Sequence, residues 1–153
     1  MDRGINKVTF RSVERKDLDE VFSLLQQLTK IDYSSRNKDE CWSRFISNDS
    51  SNSIVGISWY GKVIAYGSIV IENKIRGELA GHIEDIVVNH NVRGNHLGVR
   101  LIEELVKIAK VKGCYRITLS CNESLIKFYN KNNFNVSEIA MKLHLTHTKE
   151  AEE

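Results

Sequence analysis

The clearest hydrophobic pattern in the chain lies between residues 92 and 112, where apolar side chains recur at the spacing of an amphipathic helix. A glycine-bearing turn, Arg93-Gly94-Asn95-His96-Leu97-Gly98, opens this stretch. The residues just before it, 82–88, are short, apolar and β-branched, which is typical of a buried strand. The order strand, turn, helix is therefore the central prediction, and the helix is expected to end at Gly113 in a left-handed conformation.

Similar patterns predict the elements that precede this unit. Weak alternation at 7–13 indicates a first strand, and helical spacing predicts helices at 16–28 and 38–47. The runs 53–60 and 62–72 are typical of an antiparallel hairpin, because they meet at a short turn containing glycine. A loop at 73–78 then leads into a strand at 79–88.

Three further elements follow the central helix. The pattern predicts a strand at 115–121, a short helix at 123–131 that presents Phe128 and Tyr129, and a last strand at 134–145. The fold class is therefore mixed α/β, with a central sheet flanked by helices and a phosphate-binding turn in the middle of the chain.

Composition narrows the class of protein. The 153 residues are 41% hydrophobic and 27% charged, which favours a single domain over 1–153 with a frayed tail at 146–153. A formal charge of +2 is too small to indicate a nucleic-acid partner. The start of the sequence lacks the plan of a signal peptide and no apolar run is long enough for a membrane span, so we expect a cytoplasmic protein without a membrane partner. The three cysteines lack metal-ligand spacing, so no metal is expected, although a cysteine nucleophile stays open.

The start of the central helix is a candidate anion site. The first backbone N–H groups of a helix have no intrahelical partner, and the helix dipole places partial positive charge there. Glycines allow close approach of a phosphate, and Arg93 adds charge. A glycine-rich turn with a purely structural role is the alternative, because neither common nucleotide-binding signature is present.

Three blocks of sequence, in this order, resemble the GNAT superfamily of N-acetyltransferases and, within it, the glucosamine 6-phosphate N-acetyltransferases. They are Gly81-His82-Ile83-Glu84-Asp85-Ile86-Val87-Val88, Arg93-Gly94-x-x-Leu97-Gly98, and Gly113-Cys114-Tyr115-Arg116-Ile117 followed by Phe128-Tyr129. The resemblance implies a GNAT fold with a mostly antiparallel mixed sheet. It also implies direct transfer of an acetyl group from acetyl-CoA to the amine of glucosamine 6-phosphate, as a step towards UDP-N-acetylglucosamine, in a homodimer.

The resemblance also assigns roles to residues. It implies that acetyl-CoA binds the strand and turn formed by Ile86, Val87, Val88, Arg93, Gly94, Asn95, His96, Leu97, Gly98 and Val99. Tyr129 matches the tyrosine beside the CoA sulfur, where a phenol can donate a proton to the departing thiolate. Glu84 and Asp85 match an acidic pair beside the sugar and its amine. Since consecutive strand residues point to opposite faces, both carboxylates share one pocket only if a bulge intervenes.

The remaining substrate contacts are implied in the same way. Thr29 matches a threonine that closes over the sugar, and Lys74 and Ile75 match a loop that meets the sugar phosphate, often across a homodimer interface. Ser120 falls at a position near the amine where the amino-sugar enzymes often carry Asp or Glu. His96 replaces a frequent glycine of the turn.

Two alternatives to this substrate stay open. One is a GNAT enzyme that acts on a polyamine, an aminoglycoside or a protein N-terminus. The other is a non-catalytic acyl-CoA-binding module that has kept the fold and lost turnover.

Overall fold

The sheet of this protein has five strands, arranged in the order in which they occur along the chain. A computed structural model describes residues 7–29, 33, 35–92 and 96–146. Within these residues the strands are β1 Thr9–Ser12, β2 Ser51–Ile57, β3 Val63–Asn73, β4 Leu79–Val88 and β5 Arg116–Thr118. β1 to β4 pair antiparallel with their neighbours, and β5 is parallel to β4. The predicted sheet, mixed and mostly antiparallel, is confirmed.

Helices cover both faces of this sheet. They are α1 Leu18–Leu28, α2 Lys38–Ile46, α3 Leu97–Lys112 and α4 Ile126–Asn130. Single 3₁₀ turns lie at Arg15–Asp17, His90–Val92 and Glu123–Leu125. The helix predicted at 123–131 is therefore a 3₁₀ turn followed by a short α-helix. Among the described residues, no helix is both long and apolar enough to span a membrane.

Two hydrophobic clusters hold the layers together. On one face of the sheet α3 buries Leu101, Ile102 and Leu105 completely, and these pack against Ile69 and Ile83 of the strands. The apolar stripe predicted for the central helix is thus its core-facing side. On the other face α1 packs a smaller cluster, made of Val21, Leu24, Val55, Val63 and Val87.

The connection from β4 through α3 to β5 positions the site. Gly113 ends α3 with φ +86°, the left-handed conformation that a residue without Cβ adopts at little cost. The Cys114 N–H donates to the Ala109 carbonyl, and the Tyr115 N–H donates to the Leu79 carbonyl at the start of β4. β5 therefore begins one residue later, where Arg116 pairs with Ala80, the second residue of β4.

The prediction of a last strand at 134–145 is wrong for the single chain. These residues have no regular secondary structure, and Val136, Ile139, Met141 and Leu143 are at least three-quarters exposed. The local pattern has the apolar character of a strand, but a strand also needs a neighbour to which its N–H and C=O groups can bond. The described part of this chain provides no such neighbour for them.

Candidate active site

The candidate site is a cleft that opens where β4 and β5 separate. The two parallel strands pair at three positions, Ala80 with Arg116, Gly81 with Ile117 and His82 with Thr118. β5 then ends, whereas β4 continues for six residues to Val88. Beyond His82, β4 has no strand on its β5 side in the part of the chain that the structure describes. Its backbone at Ile86 and Val87 can therefore pair with an extended ligand, such as the pantetheine arm expected along this strand.

A β-bulge in β4 places the two acidic residues at this cleft. Tyr66 pairs with Val87 and Ser68 pairs with Glu84, so two steps along β3 match three steps along β4. Asp85 takes up part of the extra length with φ +55°, which is uncommon for a residue with a side chain. Because a bulge interrupts strict alternation, consecutive carboxylates are no longer forced to opposite faces. This is the bulge that the sequence required if Glu84 and Asp85 were to share a pocket.

The environment of Asp85 differs from that of an ordinary surface carboxylate. Partial desolvation, and then the neighbouring charge of Glu84, raise the pKa of Asp85 above its usual value. The charge of Asp85 in turn contributes to the raised pKa of Tyr66, which is caused mainly by burial. Asp85 is therefore close enough to both Tyr66 and Glu84 for their charges to interact. Two adjacent carboxylates are an arrangement suited to holding a cationic amine.

A cluster of hydroxyl groups forms the floor beneath these carboxylates. The buried Ser53 Oγ lies 2.9 Å from the Tyr66 hydroxyl and donates to Ser68 Oγ at 3.0 Å. Ser68 stands opposite Glu84 in the β3 and β4 register. The network joins β2 to β3 beside the bulge, and Tyr66 also packs against the hydrophobic cluster that α1 forms on this face.

Tyr129 lies on the opposite wall of the cleft. Its side chain is buried between Phe128 and Phe134, whose ring centroids lie 4.8 and 6.2 Å from its own. Burial, and then the charge of nearby Cys121, raise the pKa of the phenol. The phenol therefore stays protonated at neutral pH and is available as a donor. The influence of Cys121 also locates Tyr129 beside the segment that follows β5.

The start of α3 presents backbone amides, as the sequence predicted. The first helical hydrogen bond runs from the Arg100 N–H to the His96 carbonyl, so the amides of Leu97, Gly98 and Val99 precede the intrahelical series. His96 has φ +56°, a left-handed conformation in which glycine would be less strained. The predicted residues Arg93, Gly94 and Asn95 lie outside the described residues.

Gly98 has a packing role that its place in the turn did not suggest. A Cβ at this position would lie 2.9 Å from two atoms of the Phe128 ring. The glycine thus allows α4 to pack against the first turn of α3. The Asn132 side chain adds a second link, since its Nδ2 donates to the Val99 carbonyl at 3.3 Å. The start of α3 and the helix that carries Tyr129 are therefore held together.

The predicted sugar contacts are spread more widely. Lys74 and Ile75 lie in the loop between β3 and β4, where the Lys74 ammonium is 3.3 Å from Glu72 and Ile75 is fully exposed. That loop precedes Leu79, and at ~3.4 Å per residue the five steps from Leu79 to Glu84 correspond to about 17 Å. Within one chain, the structure does not bring Lys74 and Ile75 together with the acidic pair.

Thr29 and Ser120 lie nearer to the cleft. Thr29 ends α1, and its hydroxyl is 3.3 Å from the Tyr33 hydroxyl. The same end of α1 meets the end of β4, because the His90 N–H donates to Gln27 Oε1. Ser120 is exposed, two residues beyond Thr118 on the wall opposite Glu84.

Sequence reasoning missed a contact at the vertex of the cleft. His82 Nδ1 lies 3.0 Å from Thr118 Oγ1, and His82 Nε2 lies 3.3 Å from Glu84 Oε1. His82 was visible in the same block as Glu84 and Asp85, but nothing in the sequence indicated that Thr118 would be its register partner. A separate open groove of about 570 Å³, between the first two strands and α3, contains none of the predicted site residues.

The site combines three features: the separation of β4 and β5, the bulge at Asp85 and the start of α3. Together they are typical of proteins that transfer an acyl group. The profile of the acetyltransferase (GNAT) family matches residues 18–134. The chain belongs to that family, and the predicted GNAT fold and acetyltransferase class are confirmed.

Individual relatives extend the match to almost the whole chain. The sequence is 38% identical over 143 residues to glucosamine 6-phosphate N-acetyltransferase 1 of Dictyostelium discoideum, covering 90% of this chain and 91% of that protein. The crystal structure of glucosamine-6-phosphate N-acetyltransferase from Arabidopsis thaliana matches with a TM-score of 0.83 and 32% identity, over 92% of this chain and 99% of that one. An acetyltransferase structure from Trypanosoma brucei matches with a TM-score of 0.83 and 31% identity, over 91% of this chain and all of that one.

Proposed function

We propose that this protein transfers the acetyl group of acetyl-CoA to the amine of D-glucosamine 6-phosphate, giving N-acetyl-D-glucosamine 6-phosphate and CoA. The observation that carries the proposal is the cleft itself, in which the bulge with Glu84 and Asp85 faces the wall that holds Tyr129. Relatives that bear the name of this activity support the choice of amine. The proposal includes a single catalytic domain, a cytoplasmic location and a place in UDP-N-acetylglucosamine synthesis.

Two features of the cleft suit acetyl-CoA as the acyl donor. The open edge of β4 at Ile86 and Val87 offers backbone groups to an extended arm, and the amides of Leu97 to Val99 suit a pyrophosphate. The edge of β4 leads through the following turn to the start of α3, so one elongated ligand can contact both features. The thioester supplies an activated acetyl group, and this chain has to position it against the amine and exclude competing water.

The amine side of the cleft is acidic. Glu84 and Asp85 attract the ammonium form of an amino sugar into the cleft, and the nucleophile is the neutral amine that remains after this ammonium has released one proton to solvent. On the opposite wall, the protonated Tyr129 phenol donates a hydrogen bond to the sulfur as the thiolate leaves. Direct attack requires no covalent bond to the protein, so the free cysteines need no role.

One assay decides between the amines. Purified protein is given acetyl-CoA with glucosamine 6-phosphate, glucosamine or spermidine in parallel, and the release of free thiol is followed. We expect the highest kcat/KM with the phosphorylated sugar. Equal rates with glucosamine, or faster turnover of spermidine, would overturn the substrate assignment. The absence of thiol release with every amine would favour a non-catalytic acyl-CoA-binding module.

The proposal also includes a homodimer. Its support is the exposed apolar run at 134–145, a large area to leave in water, which a second copy can cover. The position of Lys74 is compatible with this, since the predicted phosphate ligand lies far along β4 from the acidic pair of its own chain. Sedimentation equilibrium across a range of protein concentrations is the test, and a monomer at all of them would overturn this part of the proposal.

A further inference from the structure

The vertex of the cleft holds two polar side chains, His82 and Thr118, that the reaction described so far does not use, and His82 connects Thr118 to Glu84. His82 and Thr118 form the last register pair of β4 and β5, so their side chains meet where the strands begin to separate. The distances are 3.0 Å from Thr118 Oγ1 to His82 Nδ1 and 3.3 Å from His82 Nε2 to Glu84 Oε1. Thr118 is exposed and the His82 side chain is 40% exposed, so both groups are accessible from the cleft.

These distances fit one neutral tautomer of the imidazole. With the proton on Nε2, the ring faces the Glu84 carboxylate with its N–H and accepts a hydrogen bond from the Thr118 hydroxyl at Nδ1. Nδ1 is then the basic position of the ring, and it faces the Thr118 hydroxyl at the vertex of the cleft. If the ring gains a proton, the carboxylate 3.3 Å from Nε2 stabilises the cation.

Amide formation requires a group that takes up a proton. The attacking amine forms a C–N bond with the acyl carbon and must lose an N–H proton, while the thiolate takes a proton from Tyr129. Carboxylates such as Glu84 and Asp85 hold an ammonium ion well but are weak bases. Imidazole is the side chain that ordinarily titrates between pH 5 and 8, which suits it to accept this proton near neutral pH.

We propose that His82 is the proton acceptor of the reaction, acting through Thr118, with Glu84 holding its ring. This inference rests on the proposed acetyl transfer to an amine and adds a base to it. The amine N–H bond breaks as the C–N bond forms, and the proton passes to the Thr118 oxygen while the hydroxyl proton passes to His82 Nδ1. The C–S bond breaks and the sulfur receives the Tyr129 proton. His82 then releases its proton to solvent, and the Tyr129 phenolate regains one from solvent.

Other charged groups also face His82 from the elements packed around it. On β5, Arg116 precedes Thr118 by two residues, and on β3, Glu72 occupies the equivalent position beside Val70, the register partner of His82. Asp85 lies beyond Glu84 on β4. The Lys74 ammonium is 3.3 Å from Glu72, so two cations and two more carboxylates lie on or beside the strands near His82, and Glu84 is the charge in direct contact.

The test compares His82→Gln with the wild type across pH 5.5 to 9 at saturating acetyl-CoA and sugar. The acidic fall in kcat should be present in the wild type and absent from the variant, and kcat at neutral pH should decrease ~10²-fold, the lower end of the range for general-base catalysis. The KM for acetyl-CoA should stay within about twofold. His90→Gln, which alters an exposed histidine in the turn after β4, is the matched control and should behave as the wild type.

A second pair of variants tests the relay without altering the histidine. Thr118→Val removes the hydroxyl at nearly constant shape and should reduce kcat at least about tenfold, whereas Thr118→Ser should restore most of the activity. Circular dichroism and acetyl-CoA affinity establish that each variant is folded. If kcat of the His82→Gln variant still falls at acidic pH, the base is another group. This conclusion holds even if kcat at neutral pH is lower than in the wild type.

Wild-type activity in the Thr118→Val variant would show that the Thr118 hydroxyl does not pass the proton to His82. Both of these outcomes leave acetylation of glucosamine 6-phosphate intact. A wild-type protein that does not acetylate the sugar overturns the proposed function instead, so the two failures are distinguishable.

Discussion

Gly98 and Phe128 are in such close contact that a single methyl group at position 98 would lie 2.9 Å from the aromatic ring. The contact joins the start of α3 to the helix that carries Tyr129. The expected acetyl-CoA amides and the expected acid are therefore coupled through this packing contact, although 30 residues separate them in the sequence.

We predict that Gly98→Ala destabilises the protein by about 1–3 kcal/mol, the usual range for overpacking, and lowers kcat by displacing Tyr129. Chemical denaturation and steady-state kinetics measure the two effects. Phe128→Leu in the Gly98→Ala background is the matched control, because a smaller side chain makes room for the methyl group. The double variant should therefore be less destabilised than the sum of the two single variants. Strict additivity would show that the two residues do not interact.

Asp85→Asn should make the protein more stable and less active. The native structure raises the pKa of Asp85, so the native state binds its proton more tightly than the unfolded chain does. Stability therefore decreases as pH rises through the interval between the unfolded pKa, about 3.9, and the higher folded pKa. The amide removes this cost and also tolerates the positive φ.

The expected gain at pH 7 is about 1 kcal/mol or less, because the side chain reaches solvent. It should disappear below about pH 3.5, where the carboxyl group is protonated in both states. Urea denaturation at the two pH values measures the difference. A gain of equal size at both would assign the effect to backbone strain rather than to charge.

Tyr129→Phe should lower turnover far more than it changes binding. Phenylalanine preserves the ring contacts with Phe128 and Phe134, so the fold is expected to persist, whereas the donor to the departing thiolate is lost. General-acid assistance contributes ~10²–10⁴-fold where it is used. Single-turnover kinetics with acetyl-CoA isolate the chemical step, and a wild-type rate in that step would exclude Tyr129 as the acid.

Lys74→Ala should raise the KM for glucosamine 6-phosphate by about ten- to a hundredfold, the loss expected for one charge-assisted hydrogen bond of ~1.5–3 kcal/mol. The KM for acetyl-CoA should hardly change. Since Lys74 lies far from the acidic pair of its own chain, we expect it to serve the site of a second copy. The ratio of kcat/KM for glucosamine 6-phosphate to that for glucosamine should therefore be smaller in the Lys74→Ala variant than in the wild type.

A mixing experiment tests the shared site directly. Lys74→Ala and Tyr129→Phe chains are combined under conditions in which subunits exchange. In a mixed dimer, the site that retains Tyr129 receives Lys74 from the other chain, so activity at low sugar concentration should recover. If the activity of the mixture only equals the sum of the activities of the two separate variants, Lys74 does not contribute to the partner's site.

The sequence predicted those features that depend on local pattern. The stripe of Leu101, Ile102 and Leu105 is the core face of α3, and Gly113 ends that helix in the expected conformation. These outcomes follow from helical periodicity and from the conformational freedom of glycine, both of which can be seen within a few residues.

Features that depend on pairing between distant segments could not be predicted in the same way. Thr118 is 36 residues from His82, and the contact between them exists only because α3 returns the chain in one particular register. The bulge at Asp85 lies opposite Gly67 of β3, where a Cβ would lie 2.8 Å from Ile86, and nothing local to either strand pairs these two segments. The prediction of a strand at 134–145 failed for a related reason, because local sequence does not specify which other strand would pair with this run.

The 16 residues of α3 join the two walls of the cleft, since the helix begins at the end of one wall and leads into the strand that starts the other. One inserted or deleted residue would rotate everything beyond it by about 100° and shift it by ~1.5 Å. Thr118 would then no longer meet His82, and the two walls would lose their alignment. Across descendants of a common ancestor, length changes should therefore collect in the loop at 73–78 and be absent between Leu97 and Gly113.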